Sequence, residues 1–382
     1  MTIKAFVFDT HQYCQAHIAA PFKRTHIYEL LATAFGYNSF AALSSQSILL
    51  PGEQEHSCIQ QSQALHKRCL ELGYSNDVAD FIGAEFPVLI EQKRINILLF
   101  SDLILKLRQQ LSYRGYSDWQ EEDIDESEDE NLEQWIDKDW PPFHDDETQD
   151  LISQELLKAL EAAASKGNAS AHYALALIHS PVDVDERSPG LDFWYNQEIS
   201  GRVLTGVEKE WAEQYAFTVA KDQKYEHHLR EAGRLGNELA LIDLADFFDD
   251  PTFFEQSRSG LDHDPLKVAE IAEKLDRYQD VHSWLTVAAE KGETEAMLRL
   301  IEEFDQGNLL RCWTWIFLSQ LLGTDLTQDD YYAIHEDGSH YDDDIGGPMF
   351  VDGREGIRLE PLGQEDDVKA RTKAQELFEA IQ

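Results

Sequence analysis

Three stretches of this chain carry the same small and apolar residues at a fixed step of four, and that recurrence constrains the fold more than any other feature. Ala163, Gly167, Ala171, Leu175 and His179 form the first register. Ala232, Gly236, Ala240, Leu244 and Phe248 form the second, and Ala288, Gly292, Ala296, Leu300 and Phe304 the third. A partial fourth copy ends at Gly323, after Trp313-Thr-Trp-Ile-Phe-Leu. A step of four keeps residues on one face of a helix. Glycine in the middle of the register marks a tight turn between two helices. The alanines let neighbouring helices approach closely, and leucine with the large residue fills the space between layers. One helix pair of this kind cannot bury its apolar face alone, so each unit must lean on the next.

The three registers, compared position by position, separate core from surface. Ala171/Ala240/Ala296, Tyr173/Ile242/Leu298, Leu175/Leu244/Leu300 and His179/Phe248/Phe304 stay mostly apolar. Ala174/Asp243/Arg299 and Leu177/Asp246/Glu302 vary and lie three apart, hence on one helical face. The Ala/Gly/Ala/Leu pattern resembles the Sel-one-like repeat family, relatives of the tetratricopeptide repeat, over about residues 151–325. The resemblance implies helix–turn–helix units and a bacterial cytoplasmic protein that binds other proteins. It makes Asp243, Asp246, Arg299 and Glu302 candidates for a partner-facing stripe. Gly167 to Gly236 spans 69 residues, Gly236 to Gly292 spans 56 and Gly292 to Gly323 spans 31, so the period is uneven. An insertion or degenerate unit is expected between Pro181 and Glu226, with a helix near Glu208 to Lys221, and a second irregularity near Pro251 to Pro265.

Four segments follow from this reading. Residues 1–117 are expected to form an N-terminal helical domain. Thr25 to Phe35 is a helix capped by Thr25 and ended by Gly36, and a short helix capped by Ser39 comes next. Ala64 to Leu72 is helical before Gly73-Tyr74, and Ile90 to Leu111 reads as one longer amphipathic helix. Residues 118–150 are an acidic linker: residues 121–150 hold fifteen acidic side chains and one lysine, too few apolar groups to offset the entropy of ordering them. Residues 151–325 carry the repeats. In residues 326–382 a loop, with a short helix or turn in Thr327 to His335, precedes a helix from Asp366 to Ile381 that caps the stack. The expected fold is therefore all-α: a short irregular α–α superhelix with an N-terminal helical domain.

Charge narrows the function. The chain has 73 acidic against 32 basic residues, a formal net charge of −41. Nucleic-acid affinity comes from Lys and Arg displacing counterions, and anionic membranes repel such a surface. Direct nucleic-acid or lipid binding is excluded on these grounds, and a protein partner with a basic surface is favoured. No apolar run of about 18 residues marks a membrane span. The opening Met1 to Asp9 lacks the core of a secretory signal. The four cysteines, Cys14, Cys58, Cys69 and Cys312, contain no C-x-x-C pair and read as buried thiols.

Catalytic templates are missing. The chain has no G-x-S-x-G elbow, no phosphate loop ending in G-K-[ST], no H-E-x-x-H and no dinucleotide fingerprint. The loop from His335 to Asp344 offers His335, Asp337, His340, Asp342, Asp343 and Asp344. Its register fails a calcium loop, with Tyr341 at position five and Pro348 at position twelve. Adjacent His227 and His228 point in different directions on a helix, which disfavours a shared ligand. The reading is a non-catalytic interaction scaffold without cofactor. Two alternatives are an acidic nucleic-acid mimic and a metal-dependent enzyme using residues 335–344.

Overall fold

The computed structural model describes residues 3–18, 21–51, 62–117, 152–181, 191–256, 263–336, 338–341 and 348–382. The acidic linker and Cys58 lie outside the described residues, as do Asp337 and Asp342 to Asp344. Helix dominates, as the periodicities require. In chain order α1 is Ile3–His17, α2 Arg24–Ala34, α3 Phe40–Gln46, β1 Ser47–Pro51, α4 Ser62–Glu71, α5 Asn76–Gln92, β2 Ile95–Leu99 and α6 Phe100–Ser117. Then come α7 Gln154–Ala164, α8 Ala169–Ile178, α9 Leu191–Ile199, α10 Val207–Arg234, α11 Glu238–Phe248 and α12 Thr252–Glu255. Last are α13 Pro265–Lys274, α14 Tyr278–Glu290, α15 Thr294–Arg299 running into a π-turn Leu300–Phe304, α16 Leu309–Leu321, β3 Asp330–Ile334, β4 Phe350–Arg354 and α17 Gln364–Ile381.

One termination motif recurs throughout. After α2, α4, α9, α10, α13, α14 and α16 the third residue past the helix, and after α7 the fourth, returns its N–H to a carbonyl five residues back. Asn168 reaches Ala163, Asn237 reaches Ala232, Glu293 reaches Ala288 and Thr324 reaches Ser319 at 2.9–3.3 Å. The residue between sits at positive φ: Gly167 at 81°, Gly236 at 88°, Gly292 at 103° and Gly323 at 98°. This is the left-handed closure that satisfies the orphan carbonyls of a helix end. The residue after the glycine often caps the next helix: the Asn168 and Asn237 side chains accept the N–H of Ala171 at 2.8 Å and of Ala240 at 2.9 Å. After α13 the left-handed position is Asp276, at φ 56°. Gly236→Ala should lower stability by about 1–2 kcal/mol through backbone strain alone, because the space beside Gly236 is open. Asp276→Gly should raise it by up to about 1 kcal/mol. Amide exchange in increasing urea, followed in the unit that holds each substitution, reads both signs.

Two compact units divide the chain at Leu241/Ile242, within α11. In the first, α1, α2, α4 and α5 enclose Phe6, Ile27, Leu30, Leu31, Leu65, Cys69, Ile82, Phe86 and Ile90. The N-terminal helices and the first repeat belong to one unit: β1 packs on α7 and α6 on α8. Asn168 donates to the Ser44 and Ser45 carbonyls at 3.0 and 3.2 Å, and Arg108 donates to the Tyr173 hydroxyl at 2.8 Å. Helix α8 is enclosed by α6, α7 and α10, so its residues Ala171 to Leu177 are all buried. Polar groups there need partners inside the fold, and His172 and Tyr173 have them.

The expected single helix from Ile90 to Leu111 is broken. Helix α5 stops at Gln92, Arg94 takes φ 48°, and β2 follows. Ile95 and Ile97, stiff β-branched side chains, pair antiparallel with Pro51 and Leu49. Tertiary pairing overrides helical periodicity here. Helix α10 is also longer than expected, 28 residues, and joins the inserted helix to the first helix of the second repeat.

In the second unit α13 to α16 surround Val281, Leu285, Ala288, Ala289, Ala296, Met297, Leu300 and Ile316. Helix α17 lies on α16. Ala370 and Ala374, both buried, allow the approach, and the Arg371 guanidinium sits 3.8 Å over the Phe317 ring. The short helix or turn expected between Thr327 and His335 is instead β3, paired antiparallel with β4 from Asp330↔Arg354 to Ile334↔Phe350.

Candidate functional site

The stripe expected from the repeats lies in the second unit, and its four members differ in setting. Asp243 is 7% exposed, inside the fold. Asp246 pairs with Lys274 at 3.7 Å. Arg299 is held by Glu273 at 2.9 Å and by Glu303 at 3.2 Å. Glu302 is exposed. Ala174, at the position equivalent to Asp243 and Arg299, is fully buried. Variation between the registers therefore does not track exposure: these positions run from fully buried Ala174 to exposed Glu302. Glu302 alone of the four is an open charge.

A group of exposed apolar side chains lies in the first unit, on α9, its connection and the first half of α10. Phe193, Ile199, Val203, Val207, Trp211 and Phe217 are each at least 43% exposed. Within this hairpin Trp194 packs on Trp211 with ring centroids 6.4 Å apart, and Tyr195 on Tyr215 at 5.2 Å. Arg202 lies 5.2 Å over the Trp194 ring and pairs with Glu208 at 3.5 Å. Large aromatics with a polar edge are the usual anchors of protein interfaces.

Two polar clusters are built into the helices. In the first, α8 and α10 bring together His172, His179, His227 and His228. The Nε2–H of His172 donates to the Ala164 carbonyl at 3.1 Å, which leaves Nδ1 an acceptor. Nδ1 of His228 lies 3.0 Å from it and supplies the proton. The His179 ring stacks 6.2 Å away on His228. Burial, then His172, His227, His179 and Lys224, pushes the His228 pKa down to about 4. Burial also lowers those of His172 and His179. Spacing along α10 made His227 and His228 unpromising as a pair. The partner ring comes from another helix, 56 residues away, which local sequence could not disclose. Among the described residues no three His, Cys, Asp or Glu side chains converge to hold a metal ion.

This cluster makes stability depend on pH with a definite sign. An unfolded histidine takes up its proton near pH 6.5, whereas folded His228 does so near pH 4. Between these values the unfolded chain binds more protons, so stability is present above pH 6.5 and is lost as pH falls toward 4. His228→Gln should flatten that slope by on the order of 1–2 kcal/mol after allowance for the ring's partial exposure. Amide exchange across α8 and α10 of both proteins, in increasing urea at a series of pH values, measures the difference.

The second cluster is centred on Asp305, whose side chain is 6% exposed. The π-turn ending α15, closed by Asp305 N–H to the Leu300 carbonyl at 2.6 Å, tucks the carboxylate inward. It accepts from His282 Nε2 at 3.1 Å, Arg311 Nε at 3.0 Å and Trp315 Nε1 at 3.1 Å. Arg311 also donates to the Thr286 hydroxyl at 2.7 Å. The Cys312 thiol donates to the Asp305 carbonyl at 3.1 Å, and burial with the Asp305 charge raises its pKa. That is opposite to what a nucleophilic thiolate needs. Three donors on one buried carboxylate fix the turn between α15 and α16.

The thiols of Cys14 and Cys69 are buried, and burial pushes their pKa values up to about 11 and about 12. Of the loop proposed for metal, the His335 ring lies tilted against Tyr341 at 4.8 Å and His340 against Tyr332 at 5.3 Å; its other candidate ligands lie outside the described residues. No helix among the described residues is long and apolar enough to cross a membrane. No family model, no curated protein and no solved structure matches the chain.

Proposed function

We propose that the protein is a non-catalytic helical-repeat scaffold of the Sel-one-like type that binds proteins bearing a basic surface. The observation that supports this reading best is the recurrence of one unit. Helix pairs α7–α8 and α14–α15 turn through the same hydrogen-bonded glycine closure at Gly167 and Gly292, and Gly236 turns α10 into α11 in the same way. In each, the alanine four residues past the glycine is fully buried. Recurring helix pairs of this kind are the building unit of helical-repeat surfaces, which hold ligands by shape and charge.

Recognition by such a surface needs no reacting group, and a charge of −41 selects the sign of the partner and speeds encounter. Co-purification at low and at high salt tests the reading. Retained proteins should be basic and should fall away as salt rises. Partners as acidic as this chain would remove the electrostatic half of the proposal, and turnover of a defined substrate would remove the rest.

A further inference from the structure

Helix α10 is 28 residues long, about 42 Å, whereas α8 and α9 beside it have 10 and 9 residues, about 15 and 14 Å. One stripe runs along α10 at helical spacing: Val207, Trp211, Thr218, Tyr225, Leu229 and Ala232. Its last three members are at most 5% exposed, covered where α8 packs. Its first two are 54% and 43% exposed. The same face is thus core at one end and open at the other, over about three helical turns. Phe193, Ile199 and Val203 add exposed apolar surface on α9 and its connection.

The charges beside this opening have one sign left over. Arg202 pairs with Glu208 at 3.5 Å and Lys209 with Glu213 at 3.3 Å. Asp192, Glu198 and Glu210 are exposed and, among the described residues, have no cation within ion-pair distance. A second copy of this chain would set these acids against its own. A basic helix would satisfy them.

We propose that the open half of α10, with α9, is the docking face for a basic amphipathic helix of a partner protein. Such a helix is at least three turns long, with apolar anchors at i, i+4 and i+7 over Val207 and Trp211 and with Lys or Arg toward Asp192, Glu198 and Glu210. The inference rests on the scaffold reading above and adds the place and the shape of the ligand.

The probe is a labelled Leu/Lys peptide of about five turns with its leucines on one helical face, measured by fluorescence anisotropy. A scrambled peptide of the same composition and a Leu/Glu counterpart serve as controls. The ordered Leu/Lys peptide should bind at least about tenfold more tightly than the scrambled one. Val207→Ser with Trp211→Ser, 54% and 43% exposed, should remove that advantage without lowering the helical far-ultraviolet circular dichroism. Glu198→Lys with Glu210→Lys should weaken binding several-fold, and bound peptide should slow amide exchange across residues 207–218. If ordered and scrambled peptides bind alike, and both better than Leu/Glu, the docking face is wrong and the basic-partner reading stands. If neither Leu/Lys peptide binds, both fall. Dimerisation of the chain abolished by the serine pair would make the occupant a second copy and overturn the proposal. So would cross-links from Lys209 to the chain's own residues 118–150.

Discussion

Replacing Asp305 by alanine is expected to cost the second unit about 3–5 kcal/mol, the range for removing one partner of a buried charge cluster. The variant leaves the guanidinium of Arg311 and the indole N–H of Trp315 without the acceptor they share, and frees His282. Asp305→Asn, which keeps the shape and one acceptor but loses the charge, should cost less. Because the chain has two compact units, one midpoint for the whole molecule is not a safe measure. Amide exchange across α14 to α16 in increasing urea isolates the effect. A loss below about 1 kcal/mol would mean that the cluster contributes no more than surface ion pairs do.

Tyr173→Ala should be nearly as costly in the first unit, again about 3–5 kcal/mol by analogy with other buried aromatic truncations. Tyr173 is fully buried on α8, and its hydroxyl accepts from Arg108 on α6. The ring therefore joins the N-terminal helices to the first repeat. Exchange should accelerate in α6, α7 and α8 together. Tyr173→Phe keeps the ring and loses the hydrogen bond, and should cost about 1 kcal/mol. If α7 and α8 loosened while α6 stayed protected, the N-terminal segment would be an independent body, as its sequence alone suggested.

That suggestion shows where sequence reasoning reached and where it stopped. The glycine closures at Gly36, Gly73, Gly167, Gly236, Gly292 and Gly323 were legible because each is a local event of six residues. Gly201 and Asp276 close helices in the same way without a repeat register to flag them. Ser39 caps α3 as expected, accepting from Ala42 at 3.1 Å. Thr25 does not cap α2, which begins one residue earlier without a side-chain cap.

What was not legible depends on distant pairing. The strands β1 and β2 find each other across the chain, Ser47 pairing with Leu99 and Pro51 with Ile95. His172 meets His228, and Asn168 reaches back 124 residues to Ser44. Asp305 offered no signal either, since an aspartate after a helix reads as an ordinary turn residue until the π-turn aims it inward. Among the candidate interface residues, position-by-position comparison distinguished variable from constant positions. Solvent access is a different property, and Asp243 separates the two.

The buried thiols provide a timekeeper for these motions. Cys14 and Cys69 lie in the core of the first unit and Cys312 in that of the second, and all three resist ionisation. A thiol-reactive label can therefore modify them only when its own unit opens. Peptide mapping of the adducts gives two separate breathing rates from one native sample, without mutation or denaturant.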